Sequence, residues 1–228
     1  MKSFVPLFED NHLLVLNKPA GLLTQPSGTE QDSLERQAKE WIKVRDHKPG
    51  NVFLEAVHRL DKPVSGIVLF GKTSKALSRL NESIRSKQTS KIYWSWVEGA
   101  TPQREGWLEH YLVHDDFQAR IVKGGHPDGK IARLFYRELE KKVERTLLEI
   151  HLETGRYHQI RAQLAAMGCP IWGDIKYGSH HVIATDVIAL HHRYLEIPHP
   201  ISKAILRFEA SLPPYFLNLH NKYSNEAY

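Results

Sequence analysis

Apolar and polar residues alternate in short blocks along the chain, and each block has a period that suggests an element. His12 to Leu16 is an apolar run stopped by Lys18-Pro19, the signature of a strand buried on both faces. Asp32 or Ser33 then opens a helical pattern to about Arg45, with Leu34, Ala38, Trp41 and Ile42 on one face. Pro49-Gly50 breaks that pattern, and 52–57 and 67–70 read as the next two strands. Thr73 or Ser74 caps a second helix to about Lys87, with Ala76, Leu77, Leu80 and Ile84 inward. Its other face carries Lys75, Arg79, Arg85 and Lys87 and reads as solvated.

From Ser90 to Glu98 the period changes to two. Ile92, Trp94 and Trp96 fall on one side and Tyr93, Ser95 and Val97 on the other. Short strand patterns follow at about 106–112, 118–123, 131–139 and 145–152, separated by glycine- and proline-bearing turns, which predicts an antiparallel meander. A helix is expected over 156–167, with Tyr157, Ile160, Leu164 and Met167 sharing a face and Gly168 at its C-terminal cap. A loop at 176–187, strands at 187–197 and 203–209, and a short segment after Pro213-Pro214 complete the chain. The order predicts an α/β (α+β) protein whose mainly antiparallel mixed sheet is flanked by helices. No internal repeat or linker divides it, so residues 1–228 are expected to form a single domain.

Composition narrows the function only slightly. Lys and Arg total 31 against 26 Asp and Glu, a net charge of +5, which suits an anionic partner without requiring one. A single cysteine, Cys169, excludes a disulfide framework and a cysteine zinc site. No apolar run approaches the ~20 residues that span a bilayer, and the N-terminus has no signal-peptide pattern; the expectation is a cytoplasmic monomer with no membrane contact. His180-His181 and His191-His192 invite a metal-cluster reading, but they lack the partner cysteines or spacing such sites use, and no metal is expected. No glycine-rich phosphate loop is present, so no cofactor is expected either.

The candidate chemistry lies in His58-Arg59-Leu60-Asp61-Lys62-Pro63-Val64-Ser65-Gly66. This stretch displays one carboxylate on a proline-constrained loop between two strand patterns. By itself such an Asp is more often half of a surface ion pair worth about 0–1 kcal/mol. The stretch resembles the HRLD motif of the RluA-type RNA pseudouridine synthases. Five further segments resemble that family in the same order: Asn17-Lys18-Pro19-Ala20-Gly21-Leu22; Lys91-Ile92-Tyr93; Leu152 to Arg161, with Thr154-Gly155-Arg156 and His158-Gln159-Ile160-Arg161; Gly168 to Asp174 with Tyr177; and Leu190-His191-His192 with His199-Pro200. The chain departs from the pattern at Val64, where Thr or Ser is usual, and at Gln163, where His is common.

The resemblance implies the pseudouridine synthase fold with a central active-site cleft, no separate N-terminal RNA-binding domain, and isomerisation of uridine in structured rRNA or tRNA. It implies Asp61 as the catalytic carboxylate, Arg161 as the guanidinium that keeps it ionised, and Tyr93 packed against the flipped base. Whether Asp61 attacks the sugar, attacks the ring or abstracts a sugar proton stays open. Arg59 is expected to fill the space left by the extruded base, His58 to prop the loop, and Ile160 to complete an apolar wall around the uracil. A carboxylate beside a glycosidic bond also fits a nucleoside hydrolase or base glycosylase, against which the ordered motifs argue. The remaining alternative is a non-catalytic RNA-binding protein that retains the fold.

Overall fold

The computed structural model describes residues 4–221. In chain order the elements are β1 (Phe8–Glu9), β2 (Leu13–Lys18), α1 (Leu34–Arg45), β3 (Glu55–Ala56), β4 (Ser65–Gly71), α2 (Ser74–Arg85), β5 (Ser90–Glu98) and β6 (Glu105–Asp115). There follow β7 (Gln118–Val122), β8 (Lys130–Lys141), β9 (Arg145–Leu152), α3 (Gln159–Ala166), a 3-10 turn at Ile175–Tyr177, β10 (Leu190–Pro198), β11 (Ile205–Glu209) and α4 (Pro214–Asn221). They fall into two compact units. One takes the chain up to Ser90 together with His192–Ser211, and the other takes Lys91–His191 and the chain from Leu212.

In the first unit β4 pairs antiparallel with β2 along its whole length, from Leu13 opposite Gly71 to Lys18 opposite Gly66. β1 continues the order beyond β2, β3 pairs with the end of β4, and β11 pairs with β10. Leu13, Val15, Ile67, Leu69, Leu195, Ile197 and Phe208 form one core with Leu80 of α2. β2 is buried on both faces, as its uninterrupted apolar run predicts. Both helices start where the hydroxyl residues predict. Ser33 Oγ accepts from the Arg36 amide at 3.2 Å, and Thr73 Oγ1 accepts from the Ala76 amide at 3.1 Å. Leu34, Ala38 and Ile42 of α1 are fully buried, each worth about 1.5–3 kcal/mol for the larger side chains. Trp41 is half-buried instead, with the Arg45 guanidinium 4.2 Å above its ring.

The second unit contains the predicted meander. Strands run in the order β5-β9-β8-β6-β7, every pair antiparallel, with a bulge between Glu138 and Glu140. β8 alternates cleanly, burying Ala132, Leu134 and Tyr136, and α3 joins Leu112, Ala119 and Ala132 through Ala162.

Three boundaries differ from expectation. The 52–57 strand reduces to the two residues of β3. α2 ends at Arg85 rather than Lys87, because Lys87 takes a left-handed conformation (φ 56°). α3 begins at Gln159 rather than near 156: His158 is itself left-handed (φ 49°), so Tyr157 lies outside the helix and is partly exposed. The segment after Pro213 forms α4, with Pro214 in the first helical position, where its missing amide hydrogen costs nothing.

Candidate active site

Six residues singled out in the sequence divide between the units. His58, Arg59 and Asp61 belong to the first, and Tyr93, Ile160 and Arg161 to the second.

The loop that carries Asp61 is held from three directions within its own unit. Thr24, which is buried, donates its hydroxyl to the Leu60 carbonyl at 2.8 Å and accepts from the Leu60 amide at 3.0 Å. On the other side of Asp61, the Lys62 carbonyl accepts from the Gly21 amide at 2.8 Å and from Lys18 Nζ at 3.2 Å. The Val64 amide closes the turn onto the Asp61 carbonyl at 3.0 Å. Leu60 and Val64 anchor the two ends as buried apolar groups, while Asp61 itself is half-buried. The Val64 departure therefore falls at a packing position, where a methyl in place of the usual hydroxyl is accommodated.

Arg59 is exposed beside Asp61 and His58 is half-buried. His58 Nε2 accepts from the Leu69 amide at 3.4 Å, and its ring meets His192 edge-on at 5.3 Å. His192 in turn donates from Nδ1 to the Ile67 carbonyl at 2.8 Å. The glycine of the motif has a steric reason. Gly66 has φ +116°, and a Cβ there would stand 2.4 Å from the His192 carbonyl oxygen.

In the second unit, Tyr93 is buried on β5 opposite Ile150 of β9. Ile160 and Arg161 are buried in the first turn of α3. The guanidinium of Arg161 grips Asp174 with both prongs, Nε at 2.7 Å from Oδ2 and Nη2 at 2.8 Å from Oδ1. Nη1 donates to His158 Nε2 at 2.9 Å. These bonds use three of the five guanidinium N–H groups.

With Nε2 accepting from Arg161, the proton of His158 belongs on Nδ1, which donates to the Tyr177 hydroxyl at 2.9 Å. Tyr177 then accepts from the Ala119 amide at 2.7 Å, and the Arg161 guanidinium lies 4.9 Å from its ring centroid. Burial first, and the Arg161 cation second, push the His158 pKa down to about 3, so the ring is neutral at physiological pH.

The Thr154-Gly155-Arg156 segment is a side-chain knot rather than the start of a helix. Gln159 Oε1 accepts from Thr154 Oγ1 at 2.8 Å and from the Arg156 amide at 3.0 Å, while Gln159 Nε2 donates to the Arg133 carbonyl at 3.1 Å. Gln163, the other departure, is fully buried. Its amide nitrogen reaches the Leu108 and Ala132 carbonyls at 3.1 and 3.2 Å and His110 Nδ1 at 3.0 Å, tying α3 to β6 and β8.

Sequence reasoning missed Lys18, His158, Asp174 and Tyr177 as working residues, although each lies inside a segment whose resemblance was noted. The histidine pairs diverge. His180 bonds Glu98, His181 stacks on Trp172, His191 packs near Phe216 and His192 bonds Ile67. Among the described residues no three metal-capable side chains converge.

The model of the RNA pseudouridylate synthase family matches residues 12–166. The chain therefore belongs to the RNA pseudouridylate synthase family, a class of isomerases. Among its relatives is the ribosomal large subunit pseudouridine synthase D of Nitrosomonas europaea, 35% identical over 91% of this chain. The chain spans only 61% of that protein's length. The dual-specificity RNA pseudouridine synthase RluA of Vibrio parahaemolyticus is 31% identical, over 86% of this chain and 78% of its own. The solved structure of human RNA pseudouridylate synthase domain containing 4 has a TM-score of 0.79 at 24% identity, over 94% of this chain and 91% of that one. That likeness establishes the pseudouridine synthase fold expected from the sequence.

Proposed function

We propose that this chain converts specific uridines of ribosomal or transfer RNA to pseudouridine, with Asp61 as the carboxylate that engages the extruded nucleotide. The observation that carries this reading is the Asp61 loop. A carboxylate is presented at the tip of a turn whose backbone on both sides is fixed by Thr24, Gly21 and Lys18. Such pre-positioning is what a reacting group requires and what a surface ion pair does not.

The reaction breaks the bond from uracil nitrogen 1 to the ribose and forms a bond from carbon 5. Electrons balance, so no redox carrier is involved. Extrusion of the base costs a few kcal/mol of stacking and pairing. The exposed Arg59 is suited to fill the vacated space. The Nitrosomonas europaea relative is named for the ribosomal large subunit, which makes large-subunit rRNA the first substrate to test.

The test is release of tritium from RNA labelled at uracil carbon 5, offered as large-subunit rRNA and as total tRNA. Release by the native chain and none by Asp61→Asn, with RNA affinity retained, is the expected result. Turnover by Asp61→Asn removes Asp61 from the mechanism. Binding without release from either RNA supports the non-catalytic alternative.

A further inference from the structure

The edge of the second unit's sheet borders a hollow that the proposed reaction leaves unused. β7 is the last strand in the sheet order, and a space of about 640 Å³ lies along it. Its walls are the hairpin from Asp115 to Ile121, Ala162 and Ala166 of α3, and Lys176 and Tyr177. The two α3 residues are alanines, whose methyl groups leave the space open. Pockets of about 300–1,000 Å³ are of the size that takes a small ligand.

The backbone decides what can enter. Ala119 turns its amide away from β6 and donates to the Tyr177 hydroxyl at 2.7 Å, and the same hydroxyl reaches the Ala119 carbonyl at 3.5 Å. Backbone groups along an antiparallel strand alternate in direction. Ile121, two positions on, therefore aims its amide and carbonyl at the same edge, where it lines the hollow. Among the described residues no hydrogen bond takes either group. Tyr177 closes the edge on one side of Ile121, and β7 ends at Val122 on the other. One donor and one acceptor are too few for a ladder with a further strand. They match the edge of a nucleobase, which sets a donor beside an acceptor, as adenine does with N6 and N7.

Two groups at the hairpin tip suit the rest of a nucleotide. Phe117 projects with 77% of its surface exposed. Its carbonyl is nevertheless pinned twice, by Lys176 Nζ donating at 2.9 Å and by the Tyr157 hydroxyl at 3.4 Å. The Tyr157 ring is itself packed against those of His114 and His158, with centroids 4.2 and 3.9 Å away. An exposed aromatic held this firmly offers a stacking face at low entropic cost. Lys176 gives one of its three N–H groups to the Phe117 carbonyl, and its exposed ammonium lies 5.9 Å from the Phe117 ring. Of the two acids on the hairpin, Asp115 is matched by Arg120 at 2.9 Å, and Asp116 forms the turn with a left-handed φ of 50°.

We propose that this hollow binds an unpaired base of the RNA substrate other than the target uridine, stacked on Phe117, read by the Ile121 backbone and anchored at its phosphate by Lys176. This rests on RNA being the substrate, and it adds a second point of contact that lies wholly within the second unit.

The experiment measures binding of fluorescein-labelled hexaadenylate by fluorescence anisotropy, against an abasic ribose-phosphate hexamer of the same charge. The proteins are the native chain, Phe117→Ser, Ala166→Leu and Lys176→Gln. Neither probe contains uridine, so a uridine pocket does not contribute. The native chain is expected to bind hexaadenylate more tightly than the abasic hexamer. Phe117→Ser removes the stacking face and Ala166→Leu fills the hollow; each should weaken hexaadenylate binding about 5- to 100-fold while the melting temperature holds. Lys176→Gln should weaken both probes and lower the salt dependence of binding. Equal native affinity for the two probes overturns the proposal, and that comparison needs no variant to fold. Hexaadenylate binding that is unchanged in both Phe117→Ser and Ala166→Leu overturns it as well. A native dimer that Phe117→Ser dissociates, with no preference for hexaadenylate, makes the hollow an interface between copies and also overturns it. Asp61→Asn is run alongside and should bind hexaadenylate as the native chain does. If that variant still releases tritium from RNA, the reading of Asp61 has failed while the hollow is judged on its own probe.

Discussion

Removing the carboxylate of Asp174 takes from the buried Arg161 guanidinium the acid that two of its prongs grip. The side chains of Arg161 and Asp174 are 6% and 1% exposed, and two parallel bonds of 2.7 and 2.8 Å join them. Breaking a buried pair from one side costs about 3–5 kcal/mol, most of it the penalty of the orphaned charge. For a chain of this size each kcal/mol shifts the melting temperature by roughly 2–4 °C. Asp174→Ala should therefore melt about 6–20 °C lower than the native chain. Tryptophan fluorescence is a suitable probe because Trp94, Trp96, Trp107 and Trp172 all lie in the second unit and only Trp41 in the first. The double variant Arg161→Met with Asp174→Leu removes both charges and should recover most of the lost stability, because well-packed apolar residues replace buried ion pairs at little cost. If Arg161 has the role that the family resemblance implies, turnover should not return with stability. A melting temperature for Asp174→Ala within about 2 °C of native would refute the reasoning, as it would show the guanidinium finding an equivalent partner at no cost.

His158 is buried neutral, so acid acts against it. Its folded pKa of about 3 lies below the unfolded value near 6.5; the stability that follows is complete above pH 6.5 and is lost as pH falls towards 3. His158→Asn, whose residue tolerates the left-handed backbone, should flatten that acid limb in denaturant titrations run at several pH values. An unchanged acid limb would show that other groups dominate it. Gly66→Ala meets both a positive φ and a backbone carbonyl 2.4 Å from the new Cβ, so soluble yield and melting temperature should both fall sharply. Native-like melting of that variant would mean that β10 yields easily. Thr24→Val keeps the shape but deprives the Leu60 amide and carbonyl of their partner, and a loss of about 1–3 kcal/mol in denaturant unfolding is expected. A change below about 0.5 kcal/mol would show that the Asp61 loop does not depend on it.

The parts of the fold legible in the sequence were those decided by local pattern. β2 is a pure apolar run, α1 and α2 begin on hydroxyl caps, and β8 alternates with period two. The start of α3 was misread because Arg156 to Gln159 is compatible with helix by propensity. What overrides it is the knot of Thr154, Gln159 and the Arg133 backbone, which involves a partner more than 20 residues away. The candidate site was legible where a single loop carries it, at His58 to Gly66. Lys18 was not, because nothing local shows that its Nζ is buried against the carbonyls of Pro19, Leu22 and Lys62. Asp174 escaped for a similar reason: it lies 13 positions beyond Arg161, past the end of α3, and no periodicity links the two.

The first unit is completed by residues made late in synthesis. Asp10 receives His199 at 2.8 Å, the Ile67 carbonyl receives His192 at 2.8 Å, and Asn17 donates to the Ser211 carbonyl at 3.0 Å, across separations of 189, 125 and 194 residues. A ribosome delivers β2, β4 and the Asp61 loop early, but Leu195, Ile197 and Phe208 of their core arrive only after Lys91–His191 of the second unit has been threaded out. At about 5–20 residues per second the nascent first unit waits several seconds with its strand edges uncovered. That interval is when the growing chain is open to mispairing and when a trigger-type chaperone would have its opportunity. Slowing translation between codons 91 and 191 should therefore lower soluble yield more than slowing it after codon 211.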